Sequence, residues 1–284
     1  MSPSGNATGD GTARSGALAE ETTMHTPAFL APVPGAPCWV NLLVRDLAAA
    51  QTFYAAVLDW KFDRGTLGEG FTVAWADARP VAGIGTRPAS FATTTVWTPY
   101  FASPDVDATV ARISERGATV AVGPIPVGEG RAAIASDRDG AVFGVWQGVA
   151  PVWSAAVGGA PPWLELRTRD AFEAALFYGE VFCWPRPGPG GVDVTYEDDQ
   201  VVARVDGRPV AVLSGGADGS GPDARIRPRW AVHFEVDDAR AAAAAAARAG
   251  GEVLPAVPHP GERSEAYLVR DPDGALFTVA ESGG

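Results

Sequence analysis

The chain repeats one stretch, PCWVNLLVRDLAAAQTFYAAVLDW at residues 37–60, as PPWLELRTRDAFEAALFYGEVFCW at residues 161–184. The two stretches align without a gap. Both place a tryptophan, an Arg-Asp pair and a Phe-Tyr pair at the same positions. Such internal similarity indicates that the chain contains two copies of one structural unit.

The later parts of the two copies also match each other. Residues 137–143 read DRDGAVF, and residues 271–277 read DPDGALF. We therefore predict two homologous domains, at residues 36–148 and 161–284. A length of 284 residues is enough to give each domain its own core.

The segments outside the repeats have a different composition. Residues 1–35 are mostly Gly, Ser, Thr, Ala and Pro, which predicts a disordered N-terminal tail. Residues 149–160 are similar in composition and are predicted to form the linker between the two domains.

Each domain divides again into two similar halves. In the first half, a strand over residues 39–44 leads to Asp46, a residue type that often caps the start of a helix. The following helix has Phe53, Val57 and Leu58 on one apolar side, and three strand-like runs come after it. The second half begins again at the strand 96–102, so the chain holds four strand–helix–three-strand units.

This pattern resembles the vicinal oxygen chelate superfamily, which includes glyoxalase I, bleomycin-resistance proteins and extradiol dioxygenases. The resemblance rests on Val44-Arg-Asp-Leu47, Phe53-Tyr54, Leu58-Asp-Trp60 and the two Asp-x-Asp-Gly turns. Within the superfamily, the chain resembles two-domain actinobacterial proteins that are often labelled glyoxalase-like hydroxylases. The resemblance implies an α+β fold of tandem domains, in which four βαβββ units form two curved eight-stranded sheets around concave pockets.

The resemblance also implies where a metal ion would bind in this family, and those positions hold no suitable ligands. They are occupied by Trp39, Thr98, Gly144, Trp163, Ala231 and Thr278. The whole chain has three histidines, His25, His233 and His259. We therefore expect no metal ion and no other cofactor. The remaining alternative is one makeshift site that uses Glu165, His233 and another carboxylate.

Side chains on a strand alternate between its two faces, which predicts the lining of each pocket. The first pocket is expected to hold Trp39, Asn41, Tyr100 and Trp146. The second is expected to hold Trp163, Glu165, Arg167 and His233. Flat aromatic rings in place of metal ligands favour a flat aromatic ligand. A shift of one residue in strand register would reverse these assignments.

Composition limits the function classes. A net charge of −12 disfavours binding to nucleic acid and to an acidic membrane surface, and no run is apolar enough to span a membrane. The two cysteines, Cys38 and Cys183, cannot build a disulfide framework and are expected to be small buried residues. This low cysteine content fits a reducing cytoplasm.

Two functional hypotheses follow. In the first, a metal-independent monomer binds a bulky aromatic, polyketide-like or antibiotic-like small molecule, either in self-resistance or beside a tailoring oxidase. In the second, the chain is a cofactor-free isomerase, cyclase or hydroxylase in which His233 and Glu165 are catalytic. A neutral imidazole oriented by a carboxylate is a common general base, and this motivates the second hypothesis.

Overall fold

The computed structural model describes residues 29–64, 67–77, 79–88, 95–151, 163–185, 190–197, 199–218, 226–255 and 265–281. His25 and His259 lie outside these ranges.

The first domain forms one mixed sheet with two helices. After the short β1 (Phe29–Leu30), its elements are β2 (Pro37–Val44), α1 (Leu47–Leu58), β3 (Lys61–Arg64), β4 (Phe71–Ala76), β5 (Arg79–Thr86), β6 (Trp97–Ala102), α2 (Val106–Glu115), β7 (Thr119–Val127), β8 (Gly130–Ser136) and β9 (Val142–Gln147). The strand order is β3-β4-β5-β2-β6-β9-β8-β7, so the first strand of each half meets at the centre of the sheet.

The second domain repeats this arrangement. It follows β10 (Ala150–Pro151) and contains β11 (Trp163–Arg167), α3 (Ala171–Phe182), β12 (Val192–Glu197), β13 (Gln200–Val205), β14 (Arg208–Ser214), β15 (Arg229–Val236), α4 (Ala239–Arg248), β16 (Glu252–Leu254), β17 (Ala266–Arg270) and β18 (Leu276–Glu281). Its strand order is β12-β13-β14-β11-β15-β18-β17-β16. The predicted α+β fold of four βαβββ units in two eight-stranded sheets is therefore confirmed.

Helix starts follow the predicted chemistry. The side chain of Asp46 accepts a hydrogen bond from the backbone N–H of Ala49 at the start of α1, and Asp170 does the same for α3. Each cap satisfies a backbone donor that has no partner inside the helix. None of the helices in the described ranges is long and apolar enough to cross a membrane.

Each sheet has one face that packs on helices and one that does not. Along β2, Val40, Leu42 and Val44 are fully buried in the core that includes α1, whereas Trp39 and Asn41 are half-buried on the other side. We call the second side the helix-free face. The period of two fixes this division, since each strand must put its apolar residues against the helices.

A buried chain of hydrogen bonds joins the two domains. The indole Nε1 of Trp97 donates to the hydroxyl of Tyr54 (3.1 Å), which donates to Oδ2 of Asp271 in the other domain (2.8 Å). The other carboxylate oxygen of Asp271 accepts from the backbone N–H groups of Asp273 (2.9 Å) and Ala275 (2.8 Å). The Phe-Tyr and Asp-x-Asp-Gly motifs therefore connect the domains.

The same series of hydrogen bonds recurs with the roles of the two domains exchanged. Trp230 donates to Tyr178 (2.9 Å), and Tyr178 donates to Asp137 of the first domain (3.0 Å). The Arg-Asp motif contributes as well, because Arg45 pairs with Asp273 at 2.6 Å. This reciprocal pairing makes the two domains one packed unit.

Residues 29–35 are the part of the predicted tail that lies within the described ranges. Phe29 and Leu30 pair with Pro151 and Ala150 of the predicted linker, and the N–H of Gly35 donates to the carbonyl of Ala102. Cys38 is buried as expected, but the prediction that Cys183 is buried is wrong. Cys183 ends α3 in the left-handed conformation at φ 61°, and its side chain is exposed.

The buried aspartates predict a pH dependence of stability. Burial raises the pKa of Asp271, although Tyr54 and two backbone N–H groups act in the opposite direction. The folded state therefore holds the Asp271 proton more tightly than the unfolded chain does. This contribution is complete below the unfolded pKa of about 3.9 and is lost as the pH rises through the folded pKa.

We expect the free energy of unfolding of the wild type, relative to Asp271→Asn, to fall as the pH rises from about 4. Chemical denaturation at a series of pH values measures this difference. A difference that stays constant with pH would contradict the raised pKa.

Candidate ligand-binding site

The first helix-free face brings together the four residues predicted for the first pocket. On the central strand pair, Trp39 lies opposite Tyr100, and Asn41 lies opposite Thr98. Trp146 follows on β9, where it lies opposite Ala102. Directly opposite residues point to the same face of a sheet, so these rings share one surface. Their binding of a ligand stays a prediction.

Glycines make room for these rings. A Cβ placed on Gly144 would lie 2.3 Å from the ring of Tyr100, and one on Gly83 would lie 2.6 Å from Oδ1 of Asn41 and 2.9 Å from Nε1 of Trp39. Side chains larger than hydrogen would displace the aromatic groups. The glycines therefore let the rings lie flat on the sheet.

The lower part of this face is packed. Trp39, Tyr100 and Trp146 surround a small cluster that includes Cys38 and the linker residue Ala150. Burial of the phenol, together with the neighbouring Cys38 thiol, raises the pKa of Tyr100 to about 12. Tyr100 therefore stays a neutral phenol across the physiological range.

Two buried polar atoms on this face have no hydrogen-bond partner. They are Oδ1 of Asn41, an acceptor, and the indole Nε1 of Trp75, a donor. A buried polar group without a partner costs about 1–3 kcal/mol. Asn41 thus keeps one acceptor, and Trp75 one donor, without a hydrogen-bond partner.

Trp75 was missed by the sequence reasoning. Ala74 on β4 is fully buried in the helix-side core, so the next residue turns to the helix-free face. Alternation along β4 was the available signal. The internal repeat did not point to Trp75, because the equivalent position in the second domain holds Arg204 and not an aromatic residue.

The second helix-free face collects the other four predicted residues. Trp163 and His233 are direct cross-strand neighbours, and Glu165 and Arg167 follow on the same side of β11. The described structure thus brings together the two proposed catalytic residues, Glu165 and His233. Their catalytic role stays a prediction.

Glu165 is the centre of this cluster. Only 1% of its surface is exposed, and its Oε2 lies 3.2 Å from Nε of Arg167 and 3.4 Å from Nε2 of His233. A buried carboxylate needs a paired cation, and Arg167 supplies one. The imidazole Nε2 of His233 is itself buried and has no hydrogen-bond partner.

The positions that the resemblance implies for a metal ion do not fit one here. On the first face they hold Trp39, Thr98 and Gly144, which offer no carboxylate, imidazole or thiolate. Within the described residues, no group of three His, Cys, Asp or Glu side chains could hold a metal ion, and this includes the surroundings of Glu165 and His233.

We therefore expect elemental analysis of the purified protein to find no stoichiometric transition metal. The reason is the donor set, because indole, methyl and hydroxyl groups are poor ligands for Fe, Mn, Ni or Zn. A tightly held ion close to one per chain would contradict this prediction.

Comparison with known families agrees with the fold. Residues 38–145 match the Glyoxalase/Bleomycin resistance protein/Dioxygenase superfamily, and residues 163–280 match a family described as Glyoxalase-like domain.

Two curated relatives cover most of the chain. A putative glyoxylase, CFP32 of Mycobacterium tuberculosis, is 32% identical over 261 residues, which is 86% of this chain and 94% of the relative. The anthracycline biosynthesis protein DnrV of Streptomyces peucetius is 33% identical over 272 residues, with 87% and 94% covered.

Solved structures share the fold at low identity. The Mn(II)-bound glyoxalase from Novosphingobium aromaticivorans is 18% identical with a TM-score of 0.54, and 87% of this chain and 82% of that chain are covered. Homoprotocatechuate 2,3-dioxygenase from Brevibacterium fuscum is 16% identical with a TM-score of 0.53, at 90% and 83% coverage.

Proposed function

Because the chain belongs to the glyoxalase/bleomycin resistance protein/dioxygenase superfamily, we propose that it is a metal-independent binder of a bulky, planar aromatic small molecule. The ligand lies on a helix-free face, where its rings stack on Trp39 or Trp163.

One observation carries this proposal. Asn41 Oδ1 and Trp75 Nε1 are buried without partners on the same face as the half-buried ring of Trp39. A ligand that joins a flat ring system to a hydroxyl donor and a carbonyl acceptor satisfies both atoms while it stacks. Such sites combine an apolar wall with a few polar groups that fix orientation.

The relatives suggest the chemical class of the ligand. Curated relatives from two Streptomyces strains, DauV and DnrV, are named anthracycline biosynthesis proteins. An anthracycline-type polyketide has fused flat rings with hydroxyl and carbonyl groups along their edges, which fits the first face. We propose that the protein holds such a compound as an accessory to a tailoring oxidase, in preference to sequestration for self-resistance.

The second face supports a second candidate function. The contact of 3.4 Å between Glu165 and His233 favours a cofactor-free isomerase or cyclase in which His233 moves a proton. Turnover of a ketone substrate by the purified protein alone, lost in His233→Gln, would favour this enzyme over the binder.

Titration with a planar hydroxyanthraquinone tests the binder. We expect saturable quenching of tryptophan fluorescence that is the same with and without EDTA, because the site uses rings and amides in place of a metal ion. Absence of saturation would contradict binding, and loss of binding in EDTA would contradict metal independence.

We also propose that the protein is a monomer that works in the cytoplasm. The reciprocal contacts of Tyr54 with Asp271 and of Tyr178 with Asp137 already pair two homologous domains within one chain. Sedimentation at micromolar concentration is expected to give the mass of one chain. A dimer mass would contradict the monomer.

A further inference from the structure

The second helix-free face carries a cluster of ionisable groups. Glu165, Arg167 and His233 have side chains that are 2%, 16% and 12% exposed. Taking charges out of water is costly, and replacement of a buried ion pair by neutral groups is often neutral or stabilising. The stability of the fold alone therefore does not explain why these charged groups are buried.

The first domain shows that the fold does not need these charges. In its sheet the equivalent positions hold Asn41 for Glu165, Leu43 for Arg167 and Tyr100 for His233, as the matching strand registers show. These are neutral side chains, and the first sheet has the same strand order. The charges on the second face consequently point to chemistry with a ligand.

His233 is positioned to accept a proton. Its Nε2 lies 3.4 Å from Oε2 of Glu165 but is buried without a hydrogen-bond partner, so the imidazole has a nitrogen that can take up a proton beside a carboxylate. Arg167 pairs with the same oxygen at 3.2 Å.

We propose that His233 takes the proton of an acidic hydroxyl on the aromatic ligand, so that the second face binds this ligand as a phenolate or enolate anion. This inference rests on the proposed function, because it requires an aromatic ligand beside Trp163, the direct neighbour of His233.

The step balances in atoms and in charge. The O–H bond of the ligand breaks, its electron pair stays on the oxygen, and an N–H bond forms on the imidazole. The ligand gains one negative charge and His233 gains one positive charge. Before the transfer Glu165 and Arg167 form one ion pair, and afterwards imidazolium and ligand anion form a second, so the net charge of the buried cluster does not change.

The other groups around His233 do not compete for the proton. Thr278 is opposite His233 on β18, and Ala231 precedes it by two residues on the same face. Arg229 lies opposite Arg167, and Glu235, which follows His233 by two residues on β15, is exposed to solvent. A ligand that arrives as a neutral phenol and stays as an anion suits these surroundings.

Alizarin, a dihydroxyanthraquinone whose visible band moves to longer wavelength when it ionises, is a direct probe. We expect alizarin bound to the wild type to show the spectrum of the anion at a pH where free alizarin is neutral. The apparent pKa of the bound probe should fall by about one unit or more, a tenfold shift of its ionisation.

His233→Gln should still quench tryptophan fluorescence with alizarin but keep the neutral spectrum. Glu235→Gln is the matched control, because it removes an exposed carboxylate two residues further along β15 and should behave as the wild type. Neutral alizarin bound to the wild type, or equal ionisation in His233→Gln, would overturn the proton transfer while leaving the binder intact. Absence of quenching in the wild type would overturn the binder and the proton transfer together.

A second measurement does not depend on the variant folding. With histidine that carries ¹⁵N in the ring, the chain has three labelled imidazoles, each with two nitrogen signals. The two signals of one imidazole should move to the shifts of an imidazolium when alizarin saturates the wild type. If the signals of all three rings stay unchanged at saturation, His233 has not taken the proton.

Discussion

Replacement of Asp271 by alanine is expected to lower the free energy of unfolding by about 3 kcal/mol, since it leaves buried donors without an acceptor. The donors are the hydroxyl of Tyr54 and the backbone N–H groups of Asp273 and Ala275. Each donates a hydrogen bond of 2.8–2.9 Å to a carboxylate oxygen of Asp271. For a chain of this size, the melting temperature should fall by about 6–12 °C.

Asp273→Ala is the matched control for this effect. It removes a carboxylate two residues away, whose partner Arg45 has a side chain that is 63% exposed. The side chain of Asp273 is itself 18% exposed, but water can replace its carboxylate around the exposed Arg45, so we expect a smaller loss of about 1 kcal/mol or less. Thermal and urea denaturation of the two variants give the comparison. Equal losses in both would show that the buried hydrogen-bond chain is not what holds the domains together.

The second large effect concerns ligand affinity. We expect Trp39→Ala or Trp163→Ala to weaken binding of a planar hydroxyanthraquinone by about 5- to 150-fold, because stacking on an aromatic ring contributes about 1–3 kcal/mol per base in nucleic-acid complexes. Neither indole lies in the helix-side core, so the fold should tolerate both changes.

Phe172→Ala separates stacking on the helix-free faces from general attraction to exposed rings. Phe172 is 54% exposed on α3, and its ring contacts Tyr196 at a centroid distance of 5.9 Å. We expect its removal to leave the affinity unchanged. If affinity is unchanged in both tryptophan variants and falls in Phe172→Ala, the ligand binds on the helix side.

Much of the fold was predictable because it depends on local pattern. The period of two along β2 separated Val40 and Leu42 from Trp39 and Asn41, and the structure keeps that division. Asp46 was identifiable as a helix cap, because a short side chain with a hydrogen-bond acceptor just before an apolar helix is typical of that position. The internal repeat then supplied the arrangement of the second domain.

The features that the sequence did not reveal depend on contacts between distant residues. Tyr54 and Asp271 are 217 positions apart, and no pattern within either motif indicates that they meet. The pairing of β4 with β5 shifts register between Ala74 and Trp75. Alternation alone therefore did not predict which residues lie beside Trp75. Cys183 is exposed because a left-handed helix end turns its side chain outward.

A crystal structure of the protein saturated with a planar hydroxyanthraquinone tests the central claim most directly. The account predicts the ring system on a helix-free face, stacked on Trp39 or Trp163, with a ligand hydroxyl or carbonyl on Asn41 and Trp75 if it lies on the first face. Ligand density on the helix side, or at a bound metal ion, with both helix-free faces empty would contradict it.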